Sequence, residues 1–175
     1  MLKLTIARLL YAVKGLFDDP LELFKALGVE ADDWILEVGC AVGYHTVPLA
    51  TIASEGRIYA VDIWEEALDH LETRAGTARN VEVIRCSADT LEFPRAHFDK
   101  IVCFDTLQEL SDPGRALAKW ATFLKQDGRL LYRDPAVPPE RIPSLSEDRL
   151  LPLEMVRGVD VFVAALPEWA HGDHP

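Results

Sequence analysis

From Asp33 to Asp134 the chain alternates short apolar runs with segments whose apolar residues recur every third or fourth position. A continuous apolar run between turn residues fits a strand buried on both faces, and the wider spacing fits a helix packed on one side. The runs predict strands at Trp34–Val38, 57–61, 81–86, 100–104 and 129–133. On the helix after the second strand Ala67, Leu68, Leu71 and Ala75 share one face, and Glu65, Glu66, Asp69 and Glu72 lie on the other. Leu117, Trp120, Ala121 and Leu124 make the matching stripe before the fifth strand, with Asp112-Pro113 as the start signal and Gly128 as the left-handed stop. Such βα units build a parallel sheet.

Both ends depart from this alternation. Leu2, Ile6, Leu9, Leu10, Val13, Leu16 and Phe17 recur at helical spacing, while Lys3, Arg8 and Lys14 interrupt every apolar stretch before it could serve as a signal peptide. An amphipathic helix packed on the domain is expected over 1–17, with a membrane-surface anchor as the alternative. After Asp134, Pro135, Pro138, Pro139 and Pro143 exclude regular structure until about Ser144. Apolar runs at 153–156 and 159–166, joined by Arg157-Gly158, then read as an antiparallel hairpin. The expected organisation is a capping segment at 1–28, a domain at 29–166 and a loose tail at 167–175, where His171 and His174 stand too isolated for a metal site.

Composition narrows the function. The 175 residues fit one ordinary domain, and no apolar run approaches the ~20 residues that span a bilayer. Eighteen basic against 29 acidic residues give a net charge of -11, which repels nucleic acid. Cys40, Cys86 and Cys103 are odd in number and lack zinc-site spacing, as expected of reduced thiols in a cytoplasm.

The chemistry is concentrated where the first strand runs into Glu37-Val38-Gly39-Cys40-Ala41-Val42-Gly43. Glycines at a strand-to-helix turn let the backbone approach a ligand and present free N–H groups to it, which implies a nucleotide-like molecule. Charge discriminates among such molecules. A dinucleotide sets a pyrophosphate over this turn, where Glu37 would oppose it, whereas S-adenosylmethionine brings a cationic ammonium and sulfonium. A nicotinamide-binding Rossmann domain is therefore the weaker alternative.

Together with Tyr59-Ala-Val-Asp62-Ile63, Cys86-Ser-Ala88-Asp89, Phe98-Asp99-Lys-Ile-Val-Cys-Phe104-Asp105 and Leu124-Lys-Gln-Asp-Gly128, this turn resembles the class I S-adenosylmethionine-dependent methyltransferases, in particular the ubiquinone and menaquinone methyltransferase-like branch. The resemblance runs from about Leu27 to Pro135 and implies an α/β, Rossmann-like fold whose mostly parallel sheet has about seven strands and ends in an antiparallel hairpin. It implies S-adenosylmethionine as cofactor, held by Glu37, Gly39, Cys40, Ala41, Gly43, Asp62, Ile63, Ala88, Asp89 and Phe104. By the same resemblance Asp62 takes both ribose hydroxyls, Ile63 lies against the adenine face, and Asp89 accepts from the adenine amino group.

The family usually has glycine where this chain has Ala41, and a positive φ there costs an alanine ~1 kcal/mol. The histidine pair common after strand four is replaced by Asp105-Thr106-Leu107-Gln108-Glu109. In-line methyl transfer demands positioning more than any universal catalytic group. His45, Asp105, Glu109, Tyr11 and Asp134 are candidate bases, and none is assigned. The expected function is methyl transfer to a small-molecule acceptor, with a cofactor-binding protein lacking turnover as the alternative.

Overall fold

The computed structural model describes residues 19–76 and 78–165, which fall into two compact units divided after Leu91. The segments expected as the 1–17 helix and the 167–175 tail lie outside the described residues.

The first unit contains α1 (Pro20–Ala26), β1 (Trp34–Val38), α2 (Thr46–Ile52), β2 (Arg57–Asp62), α3 (Glu65–Ala75) and β3 (Val81–Arg85), followed by a single turn of tighter helix at Ala88–Thr90. Its strands run parallel in the order β3-β2-β1, with Ile35 opposite Ile58 and Ala60 opposite Val83. Ile35, Leu36 and Val38 of β1 are all buried, as expected of a strand covered on both faces. Asp19 caps α1 by accepting from the Leu21 N–H, and Pro20 occupies the first turn, where its missing N–H costs nothing. The apolar stripe read on α3 is the buried one: Leu68, Leu71 and Ala75 join Cys40 and Ala60 in one cluster, with Val81 and Val83 against it.

The second unit contains β4 (Phe98–Phe104), α4 (Pro113–Phe123), β5 (Leu124–Arg133), a one-turn α5 (Ile142–Leu145), β6 (Leu150–Val156) and β7 (Val159–Ala164). Here β4 and β5 are parallel, while β7 pairs antiparallel with both β5 and β6. The hairpin turns at Arg157 and Gly158 with φ of 50° and 75°, the pair of left-handed residues that matches strand twist. Pro152 is tolerated because β6 is the outer strand and its ladder shifts between Pro152 and Glu154.

Several boundaries differ from the sequence reading. Gly128 does not end α4: the helix stops at Phe123, Leu124 already pairs with Phe98, and Gly128 lies within β5. The left-handed residue is Asp127, at φ 63°. Gly128 is needed for space, since a Cβ there would stand 2.8 Å from the Lys125 carbonyl oxygen and 3.1 Å from that of Phe98. Nor do the prolines exclude regular structure before Ser144, because α5 spans Ile142–Leu145 with Pro143 in its first turn. Strand β6 starts three residues earlier than expected, at Leu150, and β7 ends at Ala164.

Two glycines separate crowding from handedness. A Cβ on Gly56 would lie 1.9 Å from the Asp33 carbonyl oxygen, whereas one on Gly158 would meet nothing within 4 Å. In urea denaturation Gly56→Ala is expected to cost about 3 kcal/mol or more through forced backbone movement. Gly158→Ala, which bears only the left-handed penalty, is expected to cost about 1 kcal/mol.

Candidate functional site

The turn after β1 is wound by three left-handed residues in alternation, Gly39 at φ 76°, Ala41 at 44° and Gly43 at 76°. The N–H groups of Gly39 and Cys40 both donate to the Val61 carbonyl, at 2.8 and 3.1 Å, and Gly43 N–H donates to the Cys40 carbonyl at 2.9 Å. The β-carbon of Ala41 is thus held in a conformation that glycine adopts freely. Its N–H donates to Asp62 Oδ2 at 2.8 Å, a bond to a carboxylate that offsets part of that cost. Gly43 is doubly constrained, since a Cβ there would stand 2.3 Å from Leu71 Cδ1 of α3.

Asp62 ends β2 and uses both oxygens. Oδ2 takes the Ala41 N–H, and Oδ1 takes the Trp64 N–H at 2.9 Å, fixing the entry to α3. Each oxygen keeps a further lone pair for a ligand. Ile63, immediately after, leaves 71% of its surface exposed beside the turn. Asp62 also connects to the next strand end, its carbonyl accepting from Cys86 N–H at 3.1 Å. Beyond Cys86, the Ser87 hydroxyl accepts from Asp89 N–H, and Ala88 is buried.

Beneath the turn Glu37 is 3% exposed, and Thr46 Oγ1 donates to its Oε2 at 2.6 Å. Burial pushes this carboxyl up to about 8, repulsion from Asp62 adds to the shift, and the Thr46 bond opposes it. Cys40 is buried beside it, and desolvation with the nearby Glu37 and Asp62 charges raises its thiol far above the ordinary range. Such a thiol stays protonated at neutral pH and packs as a small apolar group.

Glu37, Gly39, Cys40, Ala41, Gly43, Asp62, Ile63, Ala88 and Asp89 therefore all lie in the first unit, at the C-terminal ends of its strands. Phe104 belongs to the second, where the Arg133 guanidinium stands 4.7 Å from its ring centroid. Of the candidate bases, Asp134 is buried and accepts from the N–H groups of Gln108 and Ala136. Asp105 sits at φ 54°, with its N–H on the Arg133 carbonyl. His45 makes edge contacts with Phe24 and Tyr44, Glu109 is exposed, and Tyr11 lies outside the described residues. No group of three metal-ligating side chains occurs among the described residues. Sequence reasoning missed Thr46, Leu71 and Arg74, the last donating from Nη1 to the Val42 carbonyl at 3.1 Å. Leu71 was legible only as core, and a basic residue in a last helical turn reads as a partner of the helix dipole.

The Glu37 carboxyl binds its proton more tightly in the folded chain than in the unfolded one. Its contribution to stability is thus complete below the ordinary carboxyl range and is lost as pH rises to about 8. Thermal melts from pH 5 to 9 are expected to show stability declining over that window, and Glu37→Gln is expected to flatten the decline.

Comparison with known proteins places this geometry. Residues 36–132 match the family described as "Methyltransferase domain". A ubiquinone/menaquinone biosynthesis C-methyltransferase UbiE of Marinomonas sp. (strain MWYL1) is 32% identical over 134 residues, covering 71% of this chain and 53% of that protein. The chain spans about half the length of the curated relatives it matches. Among solved structures, a SAM dependent methyltransferase from Aquifex aeolicus superposes with a TM-score of 0.69 at 23% identity, over 87% of this chain and 97% of the other. N-methyltransferase NodS from Bradyrhizobium japonicum WM9, in complex with S-adenosyl-L-homocysteine, gives 0.68 at 20% identity, over 85% and 90%. Both share the α/β Rossmann-like architecture of seven strands with a C-terminal antiparallel pair. With its βα order, its glycine turn and the acidic residue ending β2, the chain belongs to the methyltransferase-domain family, the class I fold whose cofactor is S-adenosylmethionine.

Proposed function

We propose that this chain transfers a methyl group from S-adenosylmethionine to a small-molecule acceptor. The observation that carries the reading is the union of the glycine turn with Asp62 through the Ala41 N–H, at the ends of two neighbouring parallel strands. When bound, the cofactor supplies a methyl group attached to a cationic sulfur. The backbone of Gly39, Cys40, Ala41 and Gly43 forms the floor for it, and the remaining lone pairs of Asp62 suit a vicinal diol. The bare Ile63 side chain offers an apolar face for a base, and Ala88 and Asp89 after β3 suit that base's polar edge.

Electrostatics support a cation over a pyrophosphate. An anion laid on the turn would meet Asp62 and drive the Glu37 proton on still more tightly, whereas a cation favours the ionised form of Glu37. The net charge of -11 opposes a nucleic-acid acceptor, and relatives named for ubiquinone/menaquinone biosynthesis and for aklanonic acid support a small molecule. The three free thiols support a cytoplasmic location, and no helix among the described residues is long and apolar enough to cross a membrane.

Two measurements test this. Asp62→Ala is expected to weaken S-adenosylmethionine binding by about 1 to 3 kcal/mol, and an unchanged dissociation constant would remove Asp62 from the site. Incubation with methyl-labelled cofactor and fractionated cell extract is expected to put label in the low-mass or organic-soluble fraction; label mainly in RNA or DNA would overturn the acceptor class.

A further inference from the structure

The N–H groups of the turn after β1 are almost all taken, three of them from outside it. Gly39 and Cys40 N–H are taken by Val61, Ala41 N–H by Asp62, and Gly43 N–H by Cys40. Among the described residues, Val42 alone in the 39–43 turn has an N–H that meets no acceptor. Val42 as a whole is 2% exposed, so its unpaired N–H is shielded from bulk water and is a donor still to be satisfied. The opposite side of Val42 is its carbonyl, and the group holding it is the Arg74 guanidinium.

Arg74 is itself on a fixed support. It lies in the last turn of α3, one turn after Leu71, whose side chain fills the space against Gly43. The same helix is tied to the end of β3 by Arg85, which reaches Asp69 at 2.6 Å and Glu72 at 3.0 Å. A turn with three left-handed residues has ready alternatives for its peptide planes, and contacts from two sides restrict them. Asp62 holds one side and Arg74 the other.

We propose that Arg74 is a positioning residue for cofactor binding: by holding the Val42 carbonyl it fixes the turn so that the Val42 N–H remains presented to the ligand. The inference rests on the turn being the S-adenosylmethionine site. Arg74 acts through Val42 and touches no reacting atom. Without it the turn must be ordered when the ligand arrives, and that ordering is subtracted from affinity.

The test uses the full chain and S-adenosylmethionine itself. By titration calorimetry Arg74→Met is expected to raise Kd about tenfold, and Arg74→Lys to recover part of the loss. Arg79→Met removes the same charge from a residue that is exposed like Arg74 but makes no bond to the turn, and is expected to stay within about twofold of wild type. Amide hydrogen exchange on the ligand-free proteins gives the readout that general destabilisation would not produce: faster exchange at Ala41 and Gly43, whose N–H groups are hydrogen-bonded, in Arg74→Met, with amides in the body of β1 and β2 unchanged. A Kd for Arg74→Met within about twofold of wild type, or faster exchange spread over the whole unit, overturns the proposal. Failure of wild type to bind at all overturns the cofactor assignment, and with it the ligand role of Arg74; exchange then reports only whether Arg74 holds the turn.

Discussion

A β-carbon at position 43 would have to displace the Leu71 side chain. With a methyl group there 2.3 Å from Leu71 Cδ1, the close approach of α3 to the turn exists only because the residue is glycine, and the turn can wind there only because glycine accepts φ 76°. The rest of the first unit follows from this approach. Leu71 reaches the cluster with Cys40 and Ala60, and Asp62 lies within 2.8 Å of the Ala41 N–H, joining the end of β2 to the turn after β1. Steric exclusion, more than any single attraction, sets the shape of the turn.

The electrostatics of that space depend on the same crowding. Glu37 is deprived of water by the turn above it and is left with a single hydroxyl donor, so its proton stays on well above the ordinary carboxyl range. Asp62 is only partly buried and receives two backbone N–H groups. Two carboxyls on adjacent strands thereby differ in surroundings: Asp62 accepts two backbone N–H groups at the end of β2, and Glu37 keeps its proton beneath the turn.

What was legible in the sequence was set by how local its causes are. Strand β1 could be read because a strand covered on both faces is largely apolar, β2 and β3 because their β-branched residues lie between turn residues, and the hairpin because two apolar runs meet at Arg157-Gly158. The positive φ of Ala41 was legible from its place in the turn. The first half of β5 was hidden, since Gln126, Asp127 and Gly128 have turn chemistry and only the pairing of Leu124 with Phe98 makes them strand. Helix α5 was hidden because proline breaks a helix interior but suits a first turn. Long-range contacts left no trace at all: nothing near Arg74 in the sequence shows that its partner is Val42, thirty-two residues earlier.

Burial of Cys40 under the turn makes its sulfur a clock. An alkylating reagent attacks a thiolate, and here the thiolate is suppressed both by lack of access and by the raised pKa, while Cys86 is half-buried. Modification of Cys40 therefore waits for an opening event, and its rate at saturating reagent equals the rate at which the turn comes apart. The protein carries, beneath the turn after β1, an intrinsic chronometer for the lifetime of its own architecture.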